Sequence, residues 1–154
     1  MTAHATTAHT RPRHRALLPA LWAGLALTIA ATAYPLGDRA TSHVLADHVR
    51  ASYPAYDAGE IDAAVTAYLA ILSTVGVLGV LGWLGTMWAL RGRGSWVRWA
   101  AAGAWLAAAC FALAALTVKD TSGDVGLAPP LAWSQVLPCA PGLVAVWLLW
   151  RPRR

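Results

Sequence analysis

Residues 63–90, AAVTAYLAILSTVGVLGVLGWLGTMWAL, contain no charged side chain. At about 1.5 Å per residue an α-helix of this length spans roughly 42 Å, more than the ~30 Å hydrocarbon core of a bilayer. Apolar residues occupy every face of such a helix, whereas a soluble core helix keeps a polar stripe. Three further stretches carry no charge: Ala16 to Gly37, Trp99 to Val118 and Val125 to Trp150. Over the whole chain of 154 residues, 58% are hydrophobic and 12% charged. A soluble domain carries about 25% charged residues. The expected fold is therefore all-α and integral to the membrane: an antiparallel up-and-down four-helix transmembrane bundle with a long first outer loop. Its helices are expected at about 16–35, 60–90, 96–118 and 131–150, within one transmembrane domain over 16–150. A disordered basic cytoplasmic tail over 1–15 precedes it and a basic cytoplasmic end over 151–154 follows.

Charge placement sets the expected orientation. Arg11, Arg13 and Arg15, then Arg91, Arg93 and Arg98, then Arg151, Arg153 and Arg154 fall on one side with no acidic residue. Arg39, Arg50 and Lys119 share the other side with Asp38, Asp47, Asp57, Glu60, Asp62, Asp120 and Asp124. Positive-inside bias then puts both termini in the cytoplasm of a cell membrane. All four tyrosines lie toward the acidic side, while Trp88, Trp96, Trp99, Trp147 and Trp150 gather on the basic side, as interfacial belts do. A net charge of +5 concentrated in these flanks argues against nucleic acid as a partner. Eleven of the twelve basic residues are Arg, and with the abundant Ala this fits a GC-rich bacterial genome. A competing reading makes residues 11–33 a secretory signal cleaved after Ala31-Thr32-Ala33. The apolar run continuing to Gly37 favours a retained span.

Several local features follow from spacing. His4, His9 and His14 lack Cys or carboxylate partners and read as solvated, so no metal is expected. In the first helix Ala20, Gly24, Thr28 and Thr32 form a small-residue ridge suited to close packing. Within the loop, Thr41 to Ser52 reads as a short helix N-capped by Thr41 or Ser42. Its face of Val44, Leu45, His48 and Val49 is expected to rest on the membrane surface. Gly76, Gly79, Gly82 and Gly85 recur every third residue, and with Gly24 and Gly103 they are the expected helix-packing positions. Pro138 and Pro141 are expected to kink the fourth helix.

No Asp, Glu, Lys, Arg or His lies in the middle of a span, which disfavours ion-coupled carriers and proton relays. Small multidrug exporters need a glutamate in their first helix, and vitamin K epoxide reductase-like enzymes need a CxxC; both are absent here. The four-span outline with a long outer loop resembles that of claudin-type scaffolds, but their Trp-Gly-Leu-Trp and paired loop cysteines are missing.

Two coincidences of depth remain. Cys110 and Cys139 each lie nine residues inside the loop joining helices three and four, a candidate redox pair if their Cα atoms approach within about 7 Å. Trp22, Trp83 and Trp105 fall at one level on three helices and are the candidate ligand-binding residues. No catalytic set and no cofactor is encoded, and an enzymatic role is disfavoured. The leading expectation is a non-catalytic membrane component (a partner subunit, assembly factor or scaffold) whose partners are the bilayer and another copy or membrane protein. The alternative is a binder or carrier of a small hydrophobic molecule. A redox protein using Cys110 and Cys139 is the remote third.

Overall fold

The computed structural model describes residues 12–92 and 96–151, with side chains from Ala16 onward. Residues 1–11 of the expected disordered tail, with His4, His9 and Arg11, lie outside the described residues, as do Arg93, Arg153 and Arg154, while its last four residues, 12–15, are helical and not disordered. The described residues form six helices: α1 (Pro12–Ala40), α2 (Val44–Ser52), α3 (Ala58–Ala89), α4 (Trp96–Thr117), α5 (Pro129–Val136) and α6 (Cys139–Trp150). Four segments are long and apolar enough to cross a membrane: Ala16–Ala40, Ala58–Ala89, Trp96–Thr117 and Pro129–Trp150. Their outward faces carry large apolar side chains such as Leu78, Leu81, Leu106 and Leu113. Only 11% of the most apolar window of α4 is buried against the rest of the chain, so a bilayer has to solvate most of that helix. The chain has the make-up of a multi-pass membrane protein.

Two boundaries differ from those read in the sequence. First, α1 does not stop at Pro35 but continues through it to Ala40. A proline inside a helix removes one backbone donor. Here Pro35 is fully buried, and the helix beyond it is anchored by Asp38. Second, the fourth apolar segment is broken at residues 137–138, where α5 ends and α6 begins. Pro138 and Pro141 cannot donate to the carbonyls four residues earlier, so the two short helices follow from the missing hydrogen bonds.

Asp38 organises the turn from α1 into α2. Its backbone carbonyl accepts from the amides of Thr41 and His43. Its carboxylate accepts from Ser42 Oγ at 2.7 Å, from the Val44 amide at 2.9 Å and from the Leu45 amide at 3.0 Å. The expected cap by Thr41 or Ser42 is thereby corrected. The N-cap position is His43, in the left-handed region at φ 54°, and the carboxylate five residues upstream takes the exposed amides instead. Only 2% of Asp38 is exposed. Removing it strands these donors, so Asp38→Ala is expected to destabilise the fold by about 2 kcal/mol. Asp38→Asn, which keeps an acceptor, is expected to cost less; reversible denaturation in detergent micelles measures both.

The face of α2 expected to lie on lipid is instead inside the protein. Leu45 and Val49 are buried with Ile61, Val65, Leu69 and Leu72 of α3 and with Leu127, Ala128, Leu131 and Ala132 around the start of α5. Packing apolar side chains on α3 and α5 removes them from the interface more completely than surface adsorption does. Polar ties close the same cap. His48 Nε2 lies 2.8 Å from the Val125 carbonyl, and Tyr53 Oη lies 2.8 Å from Thr121 Oγ1. The loop they hold is pinched by a bridge between Lys119 and Val125 and turns at Gly123, with φ +91°. In that loop Asp120 is held below the usual carboxylate range, chiefly by the Ser122 hydroxyl donating to it. A capping box of Asp57 and Glu60 starts α3, and Arg39 bonds Asp62 and Thr66 at 2.8 and 2.9 Å to tie α1 to it.

A second apolar cluster, Leu17, Leu21, Ala101, Ala145, Leu148 and Leu149, closes the arginine–tryptophan end. There Trp99 meets Trp150 edge-on with ring centroids 4.6 Å apart. The Arg98 guanidinium lies 5.5 Å from the Trp150 centroid, and that of Arg151 lies 3.6 Å from the Trp147 centroid. Such cation–π pairs suit a headgroup region, where an indole is half in lipid and the guanidinium reaches water.

Candidate functional site: a cavity shared by the four apolar segments

Between the two clusters the packing is incomplete. A cavity of about 420 Å³ is lined from all four apolar segments: by Leu21 and Thr28 of α1, Gly79 and Trp83 of α3, Ala104 and Trp105 of α4, and Gln135, Cys139 and Gly142 of α5–α6, among others. It is partly open, and several of its lining residues, including Leu78 and Ala107, are also exposed on the outside.

One wall is built by close approach of α1 and α3. A Cβ on Gly76 would overlap the Thr32 side chain, and one on Gly79 would stand 3.0 Å from Thr28 Cγ2. A Cβ on Gly24 would fall into the Trp83 ring. At these three glycines a side chain would collide with or press on the neighbouring helix. At Gly82, Gly85 and Gly103 it would not, because a Cβ on any of them meets nothing within 4 Å. Gly82 instead lines the cavity. Three-residue spacing rotates each successive glycine backward around a 3.6-residue helix, so one stripe serves two surroundings.

The three tryptophans expected to form one layer divide as well. Trp22 is 59% exposed and stands outside the cavity lining. Trp83 and Trp105 both line it and converge on Gly142, whose added Cβ would lie 2.7 Å from Trp105 Cδ1 and 3.7 Å from the Trp83 ring. Each indole N–H is engaged. Trp83 Nε1 donates to Thr28 Oγ1 at 2.8 Å, and that hydroxyl donates in turn to the Gly24 carbonyl at 2.8 Å. Trp105 Nε1 donates to the Cys139 carbonyl at 2.9 Å, next to the proline break. The indoles are thus locked across helices: α3 to α1, and α4 to α6.

Both cysteines are free thiols. Cys110 is exposed and is not part of the cavity lining, while Cys139 is half-buried in it. The Cys139 thiol points to the Gln135 carbonyl, 3.8 Å away, so the structure does not bring the two sulfurs together.

Gln135 is the residue that the sequence reading passed over. It is the chain's only carboxamide, and it lies in an uncharged span. Its isolation in the composition was the available signal. It lines the cavity, and its side chain's one hydrogen bond among the described residues is a long one of 3.3 Å from Nε2 to Ser134 Oγ. A carboxamide offers two donors and an acceptor, so Gln135 keeps unused capacity. The hydroxyls that line the cavity have spent their donors: Thr28, Thr32 and Thr86 each donate to a carbonyl of their own helix and keep acceptor capacity alone. The cavity is therefore largely apolar, Gln135 is the side chain in its lining with an uncommitted N–H donor, and no charged side chain lines it.

A smaller groove of about 250 Å³ lies at the acidic end, lined by Arg39, His43, Arg50 and Asp62 with apolar residues beneath. Both arginines are already paired, Arg39 with Asp62 and Arg50 with Asp47. Among the described residues no group of three or more His, Cys, Asp or Glu is placed to hold a metal ion. Comparison with family models, curated proteins and solved structures finds no match, so a functional reading rests on the chain's own geometry.

Proposed function

We propose that this is a non-catalytic bacterial membrane protein that holds a small hydrophobic molecule between its transmembrane helices. The observation that carries the reading is the cavity itself. At about 420 Å³ it lies within the ~300–1,000 Å³ of ordinary ligand pockets, and like them it pairs apolar walls with a few polar groups, Gln135 foremost. The locked indoles support it too, since a wall held by hydrogen bonds across helices keeps its shape when empty. In this reading the four spans run up and down as an antiparallel bundle in the cell membrane. Both termini are cytoplasmic, with the arginine–tryptophan end at the inner interface and the α2 cap outside. The charge asymmetry and the Arg98–Trp150 and Arg151–Trp147 pairs support that orientation.

Native mass spectrometry of the protein in mild detergent tests the binding. The expected result is a discrete added mass of roughly a few hundred daltons, fitting a cavity of this class. Trp105→Ala is expected to lose the adduct and Trp22→Ala to keep it. A bare chain under all conditions would sink the proposal.

A second reading, an accessory subunit for another membrane protein, draws on α4. Its exposed surface carries the small residues Gly103, Ala107 and Cys110 beside Leu106 and Leu113. A chain that purifies with a protein partner and without a ligand would favour that reading.

A further inference from the structure

The chemistry of the cavity restricts what can occupy it. No ionised side chain lines it, so a charged head group would be buried without a counter-ion. That costs far more than an apolar pocket returns. A wholly apolar occupant would leave the spare donor and acceptor of Gln135 unmet, at the cost of an unsatisfied polar group. Gln135 lies six residues into the segment that begins at Pro129, roughly 9 Å along the helix axis, at a depth where water is scarce.

The walls also indicate the route in. α3 packs on α1 through Gly76 and Gly79, and α4 packs on α5 and α6, with Trp105 bonded to Cys139. α3 and α4 meet only sparsely. Along that seam the cavity is lined by Leu78, Gly82, Ala104, Ala107 and Ala108, and Leu78 is 62% exposed. Gly82 faces open space where a side chain would partly fill the gap. The cavity therefore communicates with the lipid-facing surface.

We infer that the occupant is a neutral, membrane-soluble molecule with a single oxygen-bearing head, a carbonyl or hydroxyl, which hydrogen-bonds Gln135 and enters from the bilayer between α3 and α4. This rests on the ligand-holding reading above and narrows it to a ligand class. A carbonyl head accepts from Gln135 Nε2, and a hydroxyl head donates to Oε1. Both belong to the same class for this site, since the carboxamide serves either.

The test uses the full chain in lipid nanodiscs with two dibrominated C18 probes of equal chain length, a fatty alcohol and a fatty acid kept ionised at alkaline pH. Bromine quenches indole fluorescence on contact. Binding is the saturable quenching seen in the native chain and lost in a Trp83→Phe/Trp105→Phe variant; that difference cancels the signal of the interfacial tryptophans, which both chains share. The alcohol is expected to bind at least tenfold more tightly than the ionised acid. Gln135→Leu, similar in size, is expected to weaken the alcohol about tenfold, the scale of one buried hydrogen bond. Ala107→Phe at the seam, bulky but without an indole, is expected to slow alcohol entry severalfold.

Saturable quenching by neither probe would overturn the ligand-holding reading itself. Saturable quenching by both probes with equal affinity, unchanged in Gln135→Leu, would leave that reading standing and overturn the neutral-head assignment. The alcohol–acid comparison uses neither Gln135→Leu nor the seam variant, so it decides the head-group assignment even if either of those fails to fold. Alcohol entry unaffected by Ala107→Phe would refute the α3–α4 route.

Discussion

Gly76→Leu is expected to separate α1 from α3 and to cost the protein at least about 1–3 kcal/mol, the range for overpacking a close-fitting contact. A bare Cβ at this position already overlaps Thr32. Thr32 is poorly able to move aside. It is β-branched in a helix, and its hydroxyl donates to the Thr28 carbonyl at 2.7 Å, which favours one rotamer. Rotating it away breaks that bond, and shifting α1 instead disturbs the contact between Trp83 and Thr28 one turn along. The effect is specific to the face. Gly82→Ala adds a methyl group where nothing lies within 4 Å, so it is expected to be neutral or to stabilise by up to about 1 kcal/mol through helix propensity. Reversible denaturation in mixed micelles measures both. The pair Gly76→Ala and Thr32→Ala extends the test, because removing the Thr32 branch should restore much of what the alanine costs. Additive losses in that double variant would show that the two residues do not oppose each other.

Much of this architecture is legible in the residues, and the reason is that lipid imposes coarse constraints. A helix that crosses a bilayer must be long, apolar and uncharged, so the four uncharged stretches find their helices to within a few residues. The prolines at 138 and 141 announce the break in the fourth segment, because a missing donor is a local fact. What sequence spacing does not carry is rotation about each helix axis. Trp22, Trp83 and Trp105 share a level, yet level says nothing about azimuth, and Trp22 turns outward while the other two turn in. The same holds for the glycines, of which Gly76 packs and Gly82 does not. Long-range capping is invisible for a different reason. Asp38 reaches amides six and seven residues ahead only because the chain reverses at His43, a turn no near-neighbour pattern encodes. Likewise α2 has the face of an interfacial helix, but the apolar surface that receives it is made by α3 and the start of α5. Gln135 was overlooked because a neutral amide escapes a search for intramembrane charge.

Trp105→Ala is expected to have the other large effect, and to act on stability and ligand retention together. The indole does two separable things. Its ring fills the space over Gly142, and its N–H holds the Cys139 carbonyl beside the break between α5 and α6. Trp105→Phe keeps most of the ring and drops the hydrogen bond. In a membrane such interhelical bonds contribute about 0.6 kcal/mol on average and up to ~1.7. A loss within that range is expected here. Trp105→Ala loses the ring as well. Full burial would make that about 3–5 kcal/mol, and the half-exposed position brings the expectation to roughly 2–3. Removing the ring also merges its volume with the cavity, so a bound molecule loses one wall and its residence shortens. Reversible denaturation with and without added dibrominated alcohol separates the two consequences. Ligand should stabilise the native chain in proportion to the logarithm of its concentration, and the alanine variant should show little of that gain. If Trp105→Ala is destabilised yet gains as much from the alcohol as the native chain does, then the indole braces the helices without forming part of the binding site.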